Sequence, residues 1–379
     1  SATEALAIAR AVASERHLSV SLHHLGIAER HLGHYAAAHE HLDESFVICE
    51  ALDDDVLIAD NLHHLGIVEH FQGKLREARD YYTRSLALRQ QIAHQRGIAD
   101  SLNNLGAIAV ASGDYDASRD YITQSMEIRR EIGDQRGMGD SLHNLGAIAL
   151  SQGDYADAAT YFNQSLEIFD NIGDKSGAAM NLTNLGTVAQ AQGKYSAART
   201  YLQQSLHINE QINDQRGIAS ASTNLGGLAY RQEAYDKALT HYTRARTVYE
   251  TIGDQRSVAN ACNNLGFVYA MQDDERSVAL FTEALQRARD LSSPAIMLEA
   301  LIGFGWIRLQ QGDPAAAAEL AGIVQAHPAL NDALDERLQA LIDVLRATLG
   351  ERAYQRAHDL GVTGNFDFVV ASYLTEFAQ

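Results

Sequence analysis

Sixteen histidines stand in the chain, most of them early, and the adjacent pairs His23-His24 and His63-His64 lie forty residues apart. With His31, His34, His39, His41 and His70 nearby, they are the residues whose type could ligate a transition metal or answer a fall in pH. Metal ligands must converge on one point, whereas neighbours on a helix point about 100° apart. Duplication of one segment accounts for both pairs, so no metal site is assigned. A second candidate is the asparagine of "SLNNLGAIA" at 101–109, which returns at one register as Asn104, Asn144, Asn184, Asn224 and Asn264. An amide offers both a donor and an acceptor, which suits the alternating N–H and C=O groups of an extended peptide. One turn earlier stand Asp60, Asp100 and Asp140, which would favour a basic segment. Asp100 and Asp140 could also simply accept the amide hydrogens of Asn104 and Asn144. Arg96, Arg136, Arg216 and Arg256 recur as well, and are expected at outer turns facing solvent or a carboxylate, where such pairs contribute about 0–1 kcal/mol.

Catalytic and cofactor signatures are absent. "QGKL" and "QGKY" lack the upstream glycine and following Ser/Thr of a Walker loop, and no G-x-S-x-G or H-E-x-x-H occurs. The expectation is a protein that is not an enzyme and needs no cofactor. A net charge of −19 and pI near 5.2 argue against nucleic acid or an anionic membrane as a direct partner. Cys49 and Cys262 give neither a disulfide framework nor a metal pair. No apolar run approaches the roughly 18 residues of a membrane span, and the reading is cytoplasmic.

These residues need elements to position them, and the elements repeat. Leu-Gly recurs at 25–26, 65–66, 105–106, 145–146, 185–186, 225–226 and 265–266, a period of 40 without insertion. Seven residues after each glycine comes Gly33, Gly73, Gly113, Gly153 or Gly193, then Glu233 and Asp273 in the last two units. Each unit reads as two helices. In the third, the first helix runs roughly from Ile98 to Ala111 and buries Leu102, Leu105, Gly106 and Ala109. Gly113 breaks it and Asp114 caps the second helix, whose inner face is expected to hold Ser118, Ile122, Ser125, Ile128 and Ile132. Asp134 then caps the next helix. The tyrosines two residues after the turn glycine are expected to plug the corner of each pair.

The Leu-Gly, the turn glycine, the tyrosine and the small residues at Ala78, Ser118, Ala158 and Ser85, Ser125, Ser165 stand in the register of a tetratricopeptide repeat. The chain resembles that family over about residues 4–312, most clearly in 58–270. The usual unit is about 34 residues. The longer unit here is similar to repeats of the kinesin light chain type and of bacterial sensor regulators. The resemblance implies an all-α, right-handed α-solenoid of about eight antiparallel helix pairs, whose first helices line a concave groove.

Residues 1–17 read as the second helix of a truncated preceding repeat, 18–312 as the array, and 313–379 as a degenerate repeat with capping helices. Leu6, Ala9 and Val12 would leave an apolar stripe able to support weak self-association through residues 4–16, and an upstream domain in cis is expected. Residues 349–374 are similar to a C-terminal tail of large bacterial nucleotide-switch regulators. The function these readings imply is a protein- or peptide-binding scaffold, serving as the sensor or partner-binding domain of such a regulator. An independent adaptor and a small-molecule-sensing repeat are the alternatives. The ladder of asparagines, continued by His64 and His24, would hold the peptide. Tyr230, Arg231, Phe267 and Met271 would supply selectivity.

Overall fold

A computed structural model describes residues 14–377, apart from the side chain of Asp332. The stripe of Leu6, Ala9 and Val12 therefore lies outside the described residues. Those described form α1 (Glu15–His31), α2 (Tyr35–Ala51), α3 (Asp55–Phe71), α4 (Leu75–Gln91), α5 (Gln95–Ala111), α6 (Tyr115–Glu131), α7 (Gln135–Ser151), α8 (Tyr155–Asn171), α9 (Lys175–Ala191) and α10 (Tyr195–Gln211). They continue with α11 (Gln215–Arg231), α12 (Tyr235–Thr251), α13 (Gln255–Ala270), α14 (Arg276–Asp290), α15 (Pro294–Gln310), α16 (Pro314–Ala326), α17 (Asp332–Leu349), α18 (Glu351–Val362) and α19 (Phe366–Glu376). The fold is an all-α solenoid of repeated helix pairs, and none of the described residues is in a strand. No helix among them is long and apolar enough to cross a membrane.

The chain divides into two compact units, one ending at Val188 and one starting at Ala189. In the first, α1/α2, α3/α4, α5/α6 and α7/α8 pack as pairs; in the second, α11/α12, α13/α14 and α15/α16 do so. Most helices are joined by turns of three residues in which a left-handed residue stops one helix, and in several of them an aspartate opens the next. Gly113 takes φ +76°, and Asp114 accepts a hydrogen bond from Ala117 N at 3.1 Å. Asp134 does the same for Gly137 N at 3.0 Å.

Each pair is closed by the glycine of Leu-Gly against a large side chain on the second helix. A Cβ at Gly66 would stand 2.7 Å from Tyr82, at Gly146 2.8 Å from Phe162, and at Gly226 2.7 Å from Tyr242. The plug sits sixteen residues after the glycine in these pairs, and fifteen after it where Gly266 meets Phe281. That shift is the one-residue slip of the repeat beyond position 272. The deepest plugs are thus not the corner tyrosines: Tyr155 and Tyr195 are 36% exposed, while Tyr35, Tyr115 and Tyr235 are half-buried against the edge of their cores. The corner lies at the rim of the pair, where a phenol can keep its hydroxyl in water.

The C-terminal helices join the core of the second unit. Leu338, Leu341 and Leu345 of α17 are fully buried with Phe304. α16 and α18 approach backbone to backbone, since a Cβ at Gly322 would lie 2.1 Å from His358 O and one at Gly361 1.9 Å from Glu319 O.

Candidate functional site

The inner stripe of the second helices ends on a residue the periodicity should have caught. Counting on from Ser118, Ile122 and Ser125 by four reaches Arg129, which is buried, while Ile132 is 42% exposed. The expected face therefore ends in a guanidinium rather than an isoleucine. Arg129 donates to Asp100 at 2.8 Å, to Asp134 at 3.3 Å and to Ser125 Oγ at 3.1 Å. One unit earlier Arg89 donates to Asp60 at 2.8 Å, to Gly97 O at 2.9 Å and to Ser101 Oγ at 3.0 Å. A buried cation needs acceptors for its N–H groups; all three nitrogens of Arg129 find one, whereas Arg89 Nε finds none among the described residues. A second polar arrangement replaces the first where that position is Cys49 or Phe169. There Asn61 donates to Ser45 Oγ and Asn181 to Ser165 Oγ, each at 2.9 Å. Each asparagine carbonyl meets a histidine of the preceding unit, His23 at 2.9 Å and His143 at 3.1 Å. Either way the seam between units is polar, and the serine at its centre bonds a carbonyl of the first helix, as Ser125 does to Ala99 O at 2.7 Å.

These seams set the charge of a cleft of about 670 Å³ on the first helices of the first unit. Its walls include Arg96, Asn103, Asn104, Asp140, His143 and Asn144. Asn144 donates to Asn103 Oδ1 at 2.9 Å, and the Asn104 amide lies 3.4 Å from His63 Nε2. Neither amide is taken by the aspartate one turn before it, so the local pairing considered above is not made. Asp60 and Asp100 are neutralised by their arginines and are not free to attract a basic segment. Asp140 differs, because the residue that would pair with it is Phe169. It makes no ion pair among the described residues, and burial pushes its carboxyl up from the usual range, against the lowering fields of Arg129 and Arg136. Arg136 pairs with Asp174 at 3.2 Å, and Arg96 is exposed on the cleft wall.

The remaining expected residues divide between the two units. Asn184 is half-buried in the first unit; Asn224 and Asn264 are half-buried in the second. His24 is exposed, and its ring edges His23 at 5.5 Å. His64 sits against both His23 and His63, at 5.2 and 5.3 Å between ring centres. Burial lowers the pKa of His64 to about 3, with His23, Arg30 and Arg89 adding to the effect; His63 is lowered for the same chief reason. Among the described residues no group of three or more His, Cys, Asp or Glu is placed to hold a metal ion. In the second unit Tyr230, Arg231, Phe267 and Met271 line one separate cleft, as grouped from the sequence. Phe267, however, is buried, and Asn264 accepts from Arg337 of α17 at 3.2 Å. The sequence reading missed Arg89, Arg129, Asn103 and His143, and took His63 only as a metal or pH candidate. The signal was present as polar residues at a fixed helical spacing, hidden because arginine is usually a surface residue.

A family model described as tetratricopeptide repeat matches residues 21–91, 97–171, 138–211, 175–251 and 217–290. A comparison with curated protein sequences returns no match. Among solved structures, the chain is similar to a signal transduction ATPase with numerous domains, bearing a tetratricopeptide repeat sensor, from Pyrococcus horikoshii. The TM-score is 0.60 at 14% identity, over 93% of this chain and 50% of that one. Aspartyl phosphate phosphatase F from Bacillus subtilis gives 0.59 at 13%, over 82% and 76%. The apo form of RapI gives 0.58 at 16%, over 72% and 98%. At these identities the likeness is one of fold.

Proposed function

The chain belongs to the tetratricopeptide repeat family, and from that membership we propose that it binds an extended protein segment along the first helices of its first unit. The observation that carries the proposal is the cleft holding Asn103, Asn104 and Asn144 beside Asp140, an aspartate that makes no ion pair among the described residues. Amides on successive first helices present donors and acceptors to a backbone without demanding a sequence. Asp140 would select a lysine or arginine side chain in that segment. We further propose that the binding serves a larger bacterial signalling or transcription regulator, of which this chain is the sensor or partner-binding part. Support for that wider role comes from the tail at 349–374 and from the fold shared with the repeat sensor of the Pyrococcus horikoshii ATPase.

The test is selection from a random peptide display library on the whole chain, followed by titration of the selected peptide against variants. Asn104→Ala, Asn144→Ala and Asn184→Ala should each weaken binding by about 0.5–1.5 kcal/mol, the size of a lost neutral hydrogen bond. Asp140→Asn should erase any preference for a basic residue. Unchanged affinity with lowered thermal stability in the asparagine variants would mean that they serve the fold alone.

A further inference from the structure

In the second unit α17 runs beside the first helices and, with α11, α13 and α15, encloses a cleft of about 430 Å³. That volume falls within the roughly 300–1,000 Å³ of small-ligand sites. Four aromatic rings stand on its walls: Tyr230 and Phe267 from first helices, Tyr242 from the second helix behind them, and Trp306 from α15. Its floor is opened by Gly227, where a Cβ would meet only the Tyr242 hydroxyl, at 3.5 Å. Tyr242 is 3% exposed, lines the cleft, and its hydroxyl has no hydrogen-bond partner among the described residues. The hydroxyl itself is not sealed off but opens into the cleft, where it is free to donate to an acceptor on a ligand.

The charges at the rim are already matched. Arg231 pairs with Glu336 at 3.3 Å. Arg337 pairs with Glu299 at 3.3 Å and sits over Phe267, 4.5 Å from the ring centre. A ligand there gains nothing from a net charge. α17 is not a lid, because Leu338, Leu341 and Leu345 fix it in the core.

We propose that this cleft binds an uncharged, planar ring compound carrying a carbonyl or ring-nitrogen acceptor, which stacks among the aromatic walls and takes the hydrogen of Tyr242. The site is separate from the peptide cleft of the first unit and does not depend on that reading. Burial pushes the Tyr242 phenol up to about 12, which keeps it a donor at neutral pH.

Trp306 is the only tryptophan in the chain, so fluorotryptophan labelling gives one fluorine resonance at the cleft. The labelled whole chain is titrated with carbostyril, a bicyclic lactam, and with naphthalene, which has the same ring outline and no acceptor. The expected result is a saturable shift with carbostyril and binding weaker by roughly fivefold for naphthalene, the size of one neutral hydrogen bond. Tyr242→Phe should bring carbostyril down to the naphthalene level. Gly227→Leu should fill the cleft and abolish the shift, with circular dichroism confirming a folded chain; if that variant does not fold, the Tyr242→Phe comparison decides. No saturable shift with carbostyril, a shift that survives in folded Gly227→Leu, or equal binding of both compounds to parent and Tyr242→Phe would each overturn the proposal. A peptide with an aromatic end that shifts the resonance where carbostyril does not would also overturn it.

Discussion

Arg129 and Phe169 occupy the same position in neighbouring units, yet each is fitted to its own surroundings. A Cβ at Gly137 would collide with the Arg129 guanidinium, and a Cβ at Gly139 would stand 3.0 Å from the Phe169 ring. The unit with Arg129 carries Ala99 where the unit with Phe169 carries Gly139. The seam residue is therefore chosen together with the small residue beneath it. Arg129→Phe alone should destabilise the first unit, by about 1–3 kcal/mol for an overpacked site. It also leaves Asp100 without its cation, though Asp100 is 39% exposed and can turn to water. Adding Ala99→Gly should recover part of the loss. Urea denaturation of the single and double variants measures it, and additive effects would show that the two positions are not coupled.

At the scale of the helix pair, two kinds of glycine do different work. Gly146 is a packing glycine, with Phe162 where its Cβ would be. Gly146→Ala should cost about 1–3 kcal/mol, because the ring has no free space to move into. The turn glycines face open space and answer only to backbone angle. Glu233 stands at that place with φ +55°, a conformation that costs an L residue roughly 1 kcal/mol. Glu233→Gly should raise the stability of the second unit by about 0.5–1 kcal/mol. A fall in melting temperature for this variant would show that the Glu233 side chain contributes more than its strained backbone removes.

Across the molecule, the first unit should be the one sensitive to acid. His63 and His64 are held neutral by burial, with His23, Arg30, Arg89 and, for His64, His31 adding to the effect. Their pKa is lower folded than unfolded, so the stability that depends on their neutrality is whole above the unfolded value of about 6.5. It is lost as pH falls from there toward about 3 for His64, because only the unfolded chain takes the proton readily. The slope is at most about 1.4 kcal/mol per pH unit per histidine. Asp100 and Asp140 act in the opposite sense: their raised pKa means that protonation on acidification favours the folded chain. The histidines begin to titrate first, so melting measured between pH 7 and 5 should show the first unit losing stability. His63→Asn with His64→Asn should flatten that dependence; an unaltered pH profile in the double variant would exclude these two histidines as its source.

The repeat, the helix pairs and their turns were legible in the sequence, because a 40-residue period with a fixed Leu-Gly and a recurring turn glycine states the local conformations directly. Helical spacing likewise gave the buried stripe through Ser118, Ile122 and Ser125, and the asparagines on a neighbouring face. Only the tertiary structure decided which polar groups remain for a partner. Asp60, Asp100 and Asp140 look alike along the chain, and what separates them is a residue twenty-nine positions later, arginine for the first two and phenylalanine for the third. Likewise Tyr230, Arg231, Phe267 and Met271 can be grouped by register, but the wall that α17 adds comes from long-range packing of its leucines. Periodicity records which face each residue takes; whether a charge there is neutralised or a cavity is walled depends on the partner that packing brings to that face.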